Sequence, residues 1–285
     1  MATSTTHVDE FAAIWQQLHG SEAGPKAELA ARTPVLLTVG DSWFSAPLYP
    51  NLIDILLRGS EALVLRIERT GKTALEILSA HERRMLAALV RRFRFDAVLL
   101  SAGGNDFVAE FLEATFRGRS PMTPEHALAL VEATGKYAEV ESAYRAGIEA
   151  FVDASPGVAV VMHGYAYPRL LPPSTPDRIG EIGLATAEHV GRGQWIDRYV
   201  DAVLLDRNDR QRFARGLIDR FKCEVLDGLA GPNLHRVDLR SAIEVDALWY
   251  DEMHPNEDGY AVLAEPLRAA LRAALPVAKR AAIPA

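Results

Sequence analysis

Short unbroken apolar runs alternate along this chain with longer stretches in which apolar residues recur at helical spacing. The runs at 35–39, 62–67, 96–100, 158–163 and 234–239 predict five strands, since a strand covered on both faces reads as a continuous apolar segment. Between them, Leu52, Ile55 and Leu56 fit one helix. Leu75, Leu78, Leu86, Leu89 and Phe93 fit a longer one whose wet side carries Arg83, Arg84, Arg91 and Arg92. Residues 136–152, with Tyr144, Ile148 and Phe151 at core spacing, fit a third. Strands alternating with helices at these lengths predict a three-layer α/β/α sandwich around a five-stranded parallel sheet, with right-handed crossovers placing helices on both faces.

Two stretches break the rhythm. Residues 107–135 carry Phe107, Phe111 and Phe116, and residues 164–194 are rich in proline and glycine. Long irregular segments inside a compact domain tend to be functional, and both begin beyond a strand's carboxyl end, so they are expected to face a substrate. Residues 1–32 read as a helical extension, with a helix from Phe11 to Leu18 and then a loop through Gly20 and Gly24-Pro25. Residues 33–275 form the main domain, and 276–285 read as a flexible tail.

Composition narrows the function. A hydrophobic fraction of 49% with 24% charged residues describes a globular protein able to bury one sizeable core. The formal net charge of −7 argues against electrostatic binding to nucleic acid or anionic membranes. The single cysteine, Cys223, forms no intrachain disulfide and is expected to be a buried structural thiol. The first residues lack the charged-then-apolar pattern of a secretory leader, and no run approaches 18 apolar residues, so a cytoplasmic protein without a transmembrane segment is expected, with leaderless export left open.

The candidate chemistry lies where strands end. Gly40-Asp41-Ser42-Trp43 follows the first run and lifts Ser42 out at the sheet edge where open α/β sheets bind ligands. Gly71-Lys72-Thr73 follows the second run and Ser101-Ala102-Gly103-Gly104-Asn105-Asp106 the third. Asp251-Glu252-Met253-His254-Pro255 stands near the C-terminus. A serine hydroxyl needs a neighbouring base, and His254 is the strongest candidate of the eight histidines because Asp251 sits one turn before it.

These four blocks, in this order, resemble the SGNH (GDSL-type) hydrolases over about residues 33–270. The resemblance implies a flavodoxin-like sandwich and an esterase or lipase working through an acyl-enzyme. Ser42 would be the nucleophile, His254 the base and Asp251 its orienting partner. The oxyanion hole would combine the backbone N–H groups of Ser42 and Gly71 with the Asn105 amide. No cofactor or metal is implied, and the substrate would be a small ester of a lipid, an aryl acid or an acetylated sugar. Trp43, where the family name implies leucine, joins Tyr165, Tyr167, Trp249 and Tyr250 as expected pocket walls.

Other readings compete. A phosphate loop ending at Gly71-Lys72-Thr73 would need glycine where Arg66 stands. A metal-dependent phosphoesterase shares a Gly-Asp turn and a later Gly-Asn block, but calls for an early Asp-x-His and a histidine directly after the asparagine, where this chain has Asp106. A non-catalytic carbohydrate- or acyl-binding module on the same fold is the third reading. The two irregular stretches could also form a protein-interaction surface.

Overall fold

A computed structural model describes residues 2–20, 23–45, 50–170, 193–231 and 233–284. Its centre is a parallel sheet of six strands: β1 (Thr3–Thr5), β2 (Val35–Gly40), β3 (Leu63–Glu68), β4 (Ala97–Ser101), β5 (Ala159–His163) and β6 (Leu234–Val237). They lie in the order β1-β3-β2-β4-β5-β6. The five apolar runs correspond to β2 through β6. The sixth strand is the polar Thr3-Ser4-Thr5, which the sequence pattern assigns to the N-terminal extension. It joins the β3 edge through backbone pairing alone, with Thr3 opposite Leu63 and the Thr3 N–H bonded to the Ala62 carbonyl at 2.9 Å. An edge strand held in this way needs no apolar alternation, which is why the sequence pattern is silent about it.

Helices cover both faces. The α4 helix (Leu52–Leu56) packs with the long C-terminal α10 (Glu257–Ala274), and α6 (Ala80–Phe93) packs with α9 (Lys136–Ala154). The apolar spacing from Leu75 to Phe93 is divided between α5 (Ala74–Ile77) and α6, because Ser79 accepts the Glu82 N–H and caps a new helix. Before the sheet lie α1 (Val8–His19) and α2 (Pro25–Arg32); the latter replaces the expected loop, with Pro25 in the first turn, where its missing N–H costs nothing. After β4 come α7 (Glu110–Phe116) and α8 (Pro124–Ala133), so most of 107–135 is regular helix.

Residues 276–284 are not a loose end. Val277–Ala282 form a 3₁₀ helix, Ile283 is fully buried, and Lys279 pairs with Asp96 at 2.7 Å. The Ala282 carbonyl also accepts the Glu61 N–H at 2.8 Å. Cys223 is exposed, contrary to expectation. It lies in a π-helical turn, Phe221–Leu226, that buries Phe221, Val225 and Leu226 and turns the intervening thiol outward. No helix among the described residues is long and apolar enough to cross a membrane.

The strand order fixes the position of the site. From β2 the chain crosses to β3 on one side and then to β4 on the other, so the crossover direction changes around β2. The crevice outside the carboxyl ends of strands at such a switch point is where open α/β sheets bind ligands. The Ser42, Gly71 and Asn105 blocks leave β2, β3 and β4 at those ends.

Candidate active site

Ser42 opens the single-turn helix α3 (Ser42–Ser45) and is buried. Backbone bonds carry the sheet pairing past β2: Asp41 N–H donates to the Ser101 carbonyl at 3.0 Å and Arg69 N–H to the Gly40 carbonyl at 2.8 Å. The Asp41 carbonyl accepts the Phe44 and Ser45 N–H groups at 3.1 and 3.2 Å, which closes the turn. The Asp41 carboxylate lies beneath, accepting from the Trp43 N–H (3.1 Å), the Ser101 hydroxyl (3.0 Å) and the Tyr165 hydroxyl (2.5 Å). Burial pushes its pKa up despite those donors.

Opposite Ser42 stands His254, brought from the other end of the chain. The Ser42 hydroxyl and His254 Nε2 are 2.8 Å apart. On the far side of the ring, Nδ1 lies 2.9 and 2.8 Å from the two Asp251 carboxylate oxygens. Asp251 Oδ1 also accepts the N–H groups of Met253 and His254, both at 2.8 Å. Burial alone would lower the His254 pKa, but the charges and bonds of Asp251, with Asp41 behind, raise it above the usual histidine value. Burial works against the Asp251 carboxylate as well, yet the imidazolium and the surrounding donors hold its pKa below the usual range.

The remaining pieces converge on the same edge. Gly71 adopts φ = 78° in the turn after β3, a conformation that favours glycine. Asn105 lies in a 3₁₀ turn after β4 and donates from Nδ2 to the Lys72 carbonyl at 3.0 Å, which ties it to the Gly71 turn. That bond uses one amide hydrogen and leaves the other. Gly103 before it has φ = 107°, and a Cβ there would lie 2.5 Å from the Phe221 ring, so both the turn and the close approach require glycine.

Beside these residues lies a narrow cleft with almost wholly apolar walls. Trp43, Gly104 and Met253, the chain neighbours of Ser42, Asn105 and His254, line it together with Tyr165, Phe107 and Phe221. Of the expected pocket walls, Trp43 and Tyr165 line the cleft, with Trp43 edge-on to Tyr165 at 5.0 Å and its Nε1 donating to the Met253 carbonyl at 3.0 Å. Tyr167 and Trp249 are not on the cleft. Tyr167 donates to Asp219 at 2.7 Å beneath the Arg215 guanidinium, and Trp249 is buried where it pairs with Pro255. Tyr250 is likewise off the cleft, its N–H bonded to the His254 carbonyl at 2.8 Å. Of the 107–135 stretch, Phe107 and Val108 reach the cleft; of 164–194, Tyr165, Ala166 and Pro168 do so, while 171–192 lie outside the described residues.

Two neighbours of the site lie outside the candidate site residues of the sequence, although Trp195 is among the aromatics expected on an interaction surface. Trp195 donates from Nε1 to Asp251 Oδ2 at 3.2 Å, and Glu252, the residue after Asp251, is fully buried. Neither carries a sequence signal for the site, because a lone tryptophan and a glutamate in a loop read as ordinary surface or core positions. Among the described residues, no group of three or more His, Cys, Asp or Glu side chains is placed to hold a metal ion.

No protein-family profile and no curated protein sequence matches this chain. Solved structures do. The lipase Lip_vut3 from a goat rumen metagenome superposes with a TM-score of 0.56 at 16% identity, covering 84% of this chain and 97% of that one. The lipase/acylhydrolase from Enterococcus faecalis gives a TM-score of 0.45 at 15% identity, covering 86% and 98%. A family 3 carbohydrate esterase from Clostridium thermocellum gives 0.43 at 16%, covering 83% and 98%. At these identities the likeness is one of fold, and it is the first of the three that carries it: the chain shares the α/β/α fold of that lipase.

Proposed function

We propose that this protein is a serine hydrolase of carboxylic esters. The observation that carries the reading is the unbroken hydrogen-bonded line from the Ser42 hydroxyl through the His254 ring to the Asp251 carboxylate, 2.8 Å at each end. As the substrate carbonyl is attacked by Ser42 Oγ, His254 Nε2 takes the hydroxyl proton, and Asp251 fixes the ring's tautomer and stabilises the imidazolium. The developing oxyanion is met by the N–H groups of Ser42 and Gly71 and by the free hydrogen of the Asn105 amide. His254 then protonates the leaving alcohol, and water, deprotonated by the same imidazole, releases the acyl group and restores Ser42.

The apolar cleft supports a substrate whose acid portion is itself apolar. Its lining offers little to hydroxyl groups of a sugar and favours apolar contact with the acyl group. The test is hydrolysis of p-nitrophenyl esters of rising acyl length, with acetylated sugars alongside, for the wild type and Ser42→Ala. The expected result is turnover of simple alkyl esters in preference to acetylated sugars, by the wild type only. Equal turnover by Ser42→Ala would refute the assignment of the nucleophile, and preference for acetylated sugars would refute the assignment of the cleft.

A further inference from the structure

A buried acid that plays no part in the proton transfer lies two residues before the histidine, next to Asp251 in the chain. Glu252 is fully buried, and its Oε2 alone accepts the N–H groups of Trp195 (2.8 Å), Ile196 (2.8 Å) and Asp197 (3.3 Å). Its other oxygen has no partner among the described residues. Burying a carboxyl that is only half satisfied costs free energy that an apolar residue would avoid. Its geometric effect is to dock a second piece of chain onto the histidine loop. The Glu252 N–H reaches the Gly193 carbonyl at 3.3 Å. Gly193 lies so close that a Cβ there would sit 2.7 Å from the Asp251 Cβ, and its φ of 62° favours glycine as well. The docked segment delivers Trp195, whose indole N–H donates to Asp251 Oδ2 and whose ring stands edge-on to His254 at 6.1 Å.

We propose that Glu252 is a positioning residue: by gathering the N–H groups of 195–197 it clamps the Trp195 indole against Asp251 and so holds that carboxylate facing His254. The proposal rests on the hydrolase reading for its kinetic consequence but not for its geometry. Without the clamp, Asp251 keeps its two loop N–H donors and loses the one on the outer oxygen, the oxygen that also lies 2.8 Å from Nδ1. The charged groups that bear on the clamp are few. Asp251 and Asp41 act on His254, while Asp197, paired with Arg210, acts on Glu252.

The experiment compares Glu252→Ala, Glu252→Gln and Trp195→Phe with the wild type. It uses steady-state hydrolysis of a p-nitrophenyl ester and, separately, NMR titration of the His254 C2 proton, which needs no turnover. Glu252→Ala is expected to lower kcat at least tenfold with KM within twofold, and to move the His254 midpoint down towards the ordinary histidine value. Glu252→Gln keeps an oxygen for the three N–H groups and is expected to restore most of kcat and the raised midpoint. Trp195→Phe is expected to lower kcat at least threefold at unchanged KM. The inference is overturned if Trp195→Phe leaves both kcat and the midpoint as in the wild type, or if Glu252→Gln falls as far as Glu252→Ala. Should the alanine variant fail to fold, the other two decide. A wild type that hydrolyses no ester would sink the functional reading, and the titration would still judge the clamp.

Discussion

The two halves of the site are built by different means. The serine turn is an extension of the sheet: Asp41 bonds to Ser101 at the end of β4, Gly40 to Arg69 just past β3, and Ser42 follows at the next residue. The histidine loop lies outside the sheet. It folds back on itself through the Tyr250 and Asp251 N–H groups on the His254 carbonyl at 2.8 and 3.3 Å; two long backbone bonds of 3.3 Å join Glu252 to Gly193 and Arg169, and the shorter ties to the rest of the fold come from side chains: Trp43 on Met253 and Glu252 on the 195–197 segment, with Asp251 bracing its own backbone. A group placed by sheet register moves only if the fold moves, whereas one placed by side-chain bonds can be shifted by single substitutions. The histidine side is therefore expected to be the sensitive half of the site wherever the substitution spares the reacting groups themselves.

The largest effect should come from removing the base. His254→Ala is expected to reduce ester turnover by about 10⁴-fold or more while circular dichroism and the melting temperature stay near wild type. A smaller loss would mean that Ser42 finds its base elsewhere. Asp251→Asn comes next, with a loss of up to about 10⁴-fold, because an amide facing Nδ1 favours the wrong tautomer. The same variant should change the pH profile. His254 works as a base only when neutral, and its pKa is raised by Asp251 and Asp41 against the pull of burial. Wild-type kcat/KM should therefore fall as pH drops through a midpoint above 6.5, the ordinary histidine value, and Asp251→Asn should move that midpoint down. A profile flat from pH 5 to 8 would contradict the assignment.

On the oxyanion side, Asn105→Ala should cost about 10²–10³ in kcat with little change in KM. The smallest pair of effects tests the contrast directly. Trp43→Phe removes the indole N–H that ties Met253, and should cost about 1 kcal/mol of stability together with a several-fold loss in kcat. Ser101→Ala removes a comparable bond from Asp41 and should cost a similar ~1 kcal/mol with kcat close to wild type, because backbone bonds still fix the serine turn. Equal kinetic losses in the two variants would abolish the distinction between the halves.

That distinction also explains what could be read in the sequence. The apolar runs marked β2 to β6 to within two residues, because buried parallel strands carry their signal in composition. Ser42, Gly71 and Asn105 were legible because each follows such a run. The clamp was not: Glu252 and Trp195 are 57 positions apart, and only tertiary contact gives either a role. Thr3–Thr5 escaped because pairing at an edge leaves no mark on side chains, and Cys223 because a π-helical turn rotates it away from the face that ordinary helical spacing implies.

The central claim is that Ser42 is a nucleophile activated by His254. Its most direct measurement is intact-mass and peptide mapping after exposure to a fluorophosphonate probe. One adduct per chain is expected, on the peptide containing Ser42, and its formation should be lost in Ser42→Ala and slowed by orders of magnitude in His254→Ala. An adduct on any other residue, or an unmodified Ser42 in folded protein, would contradict the account.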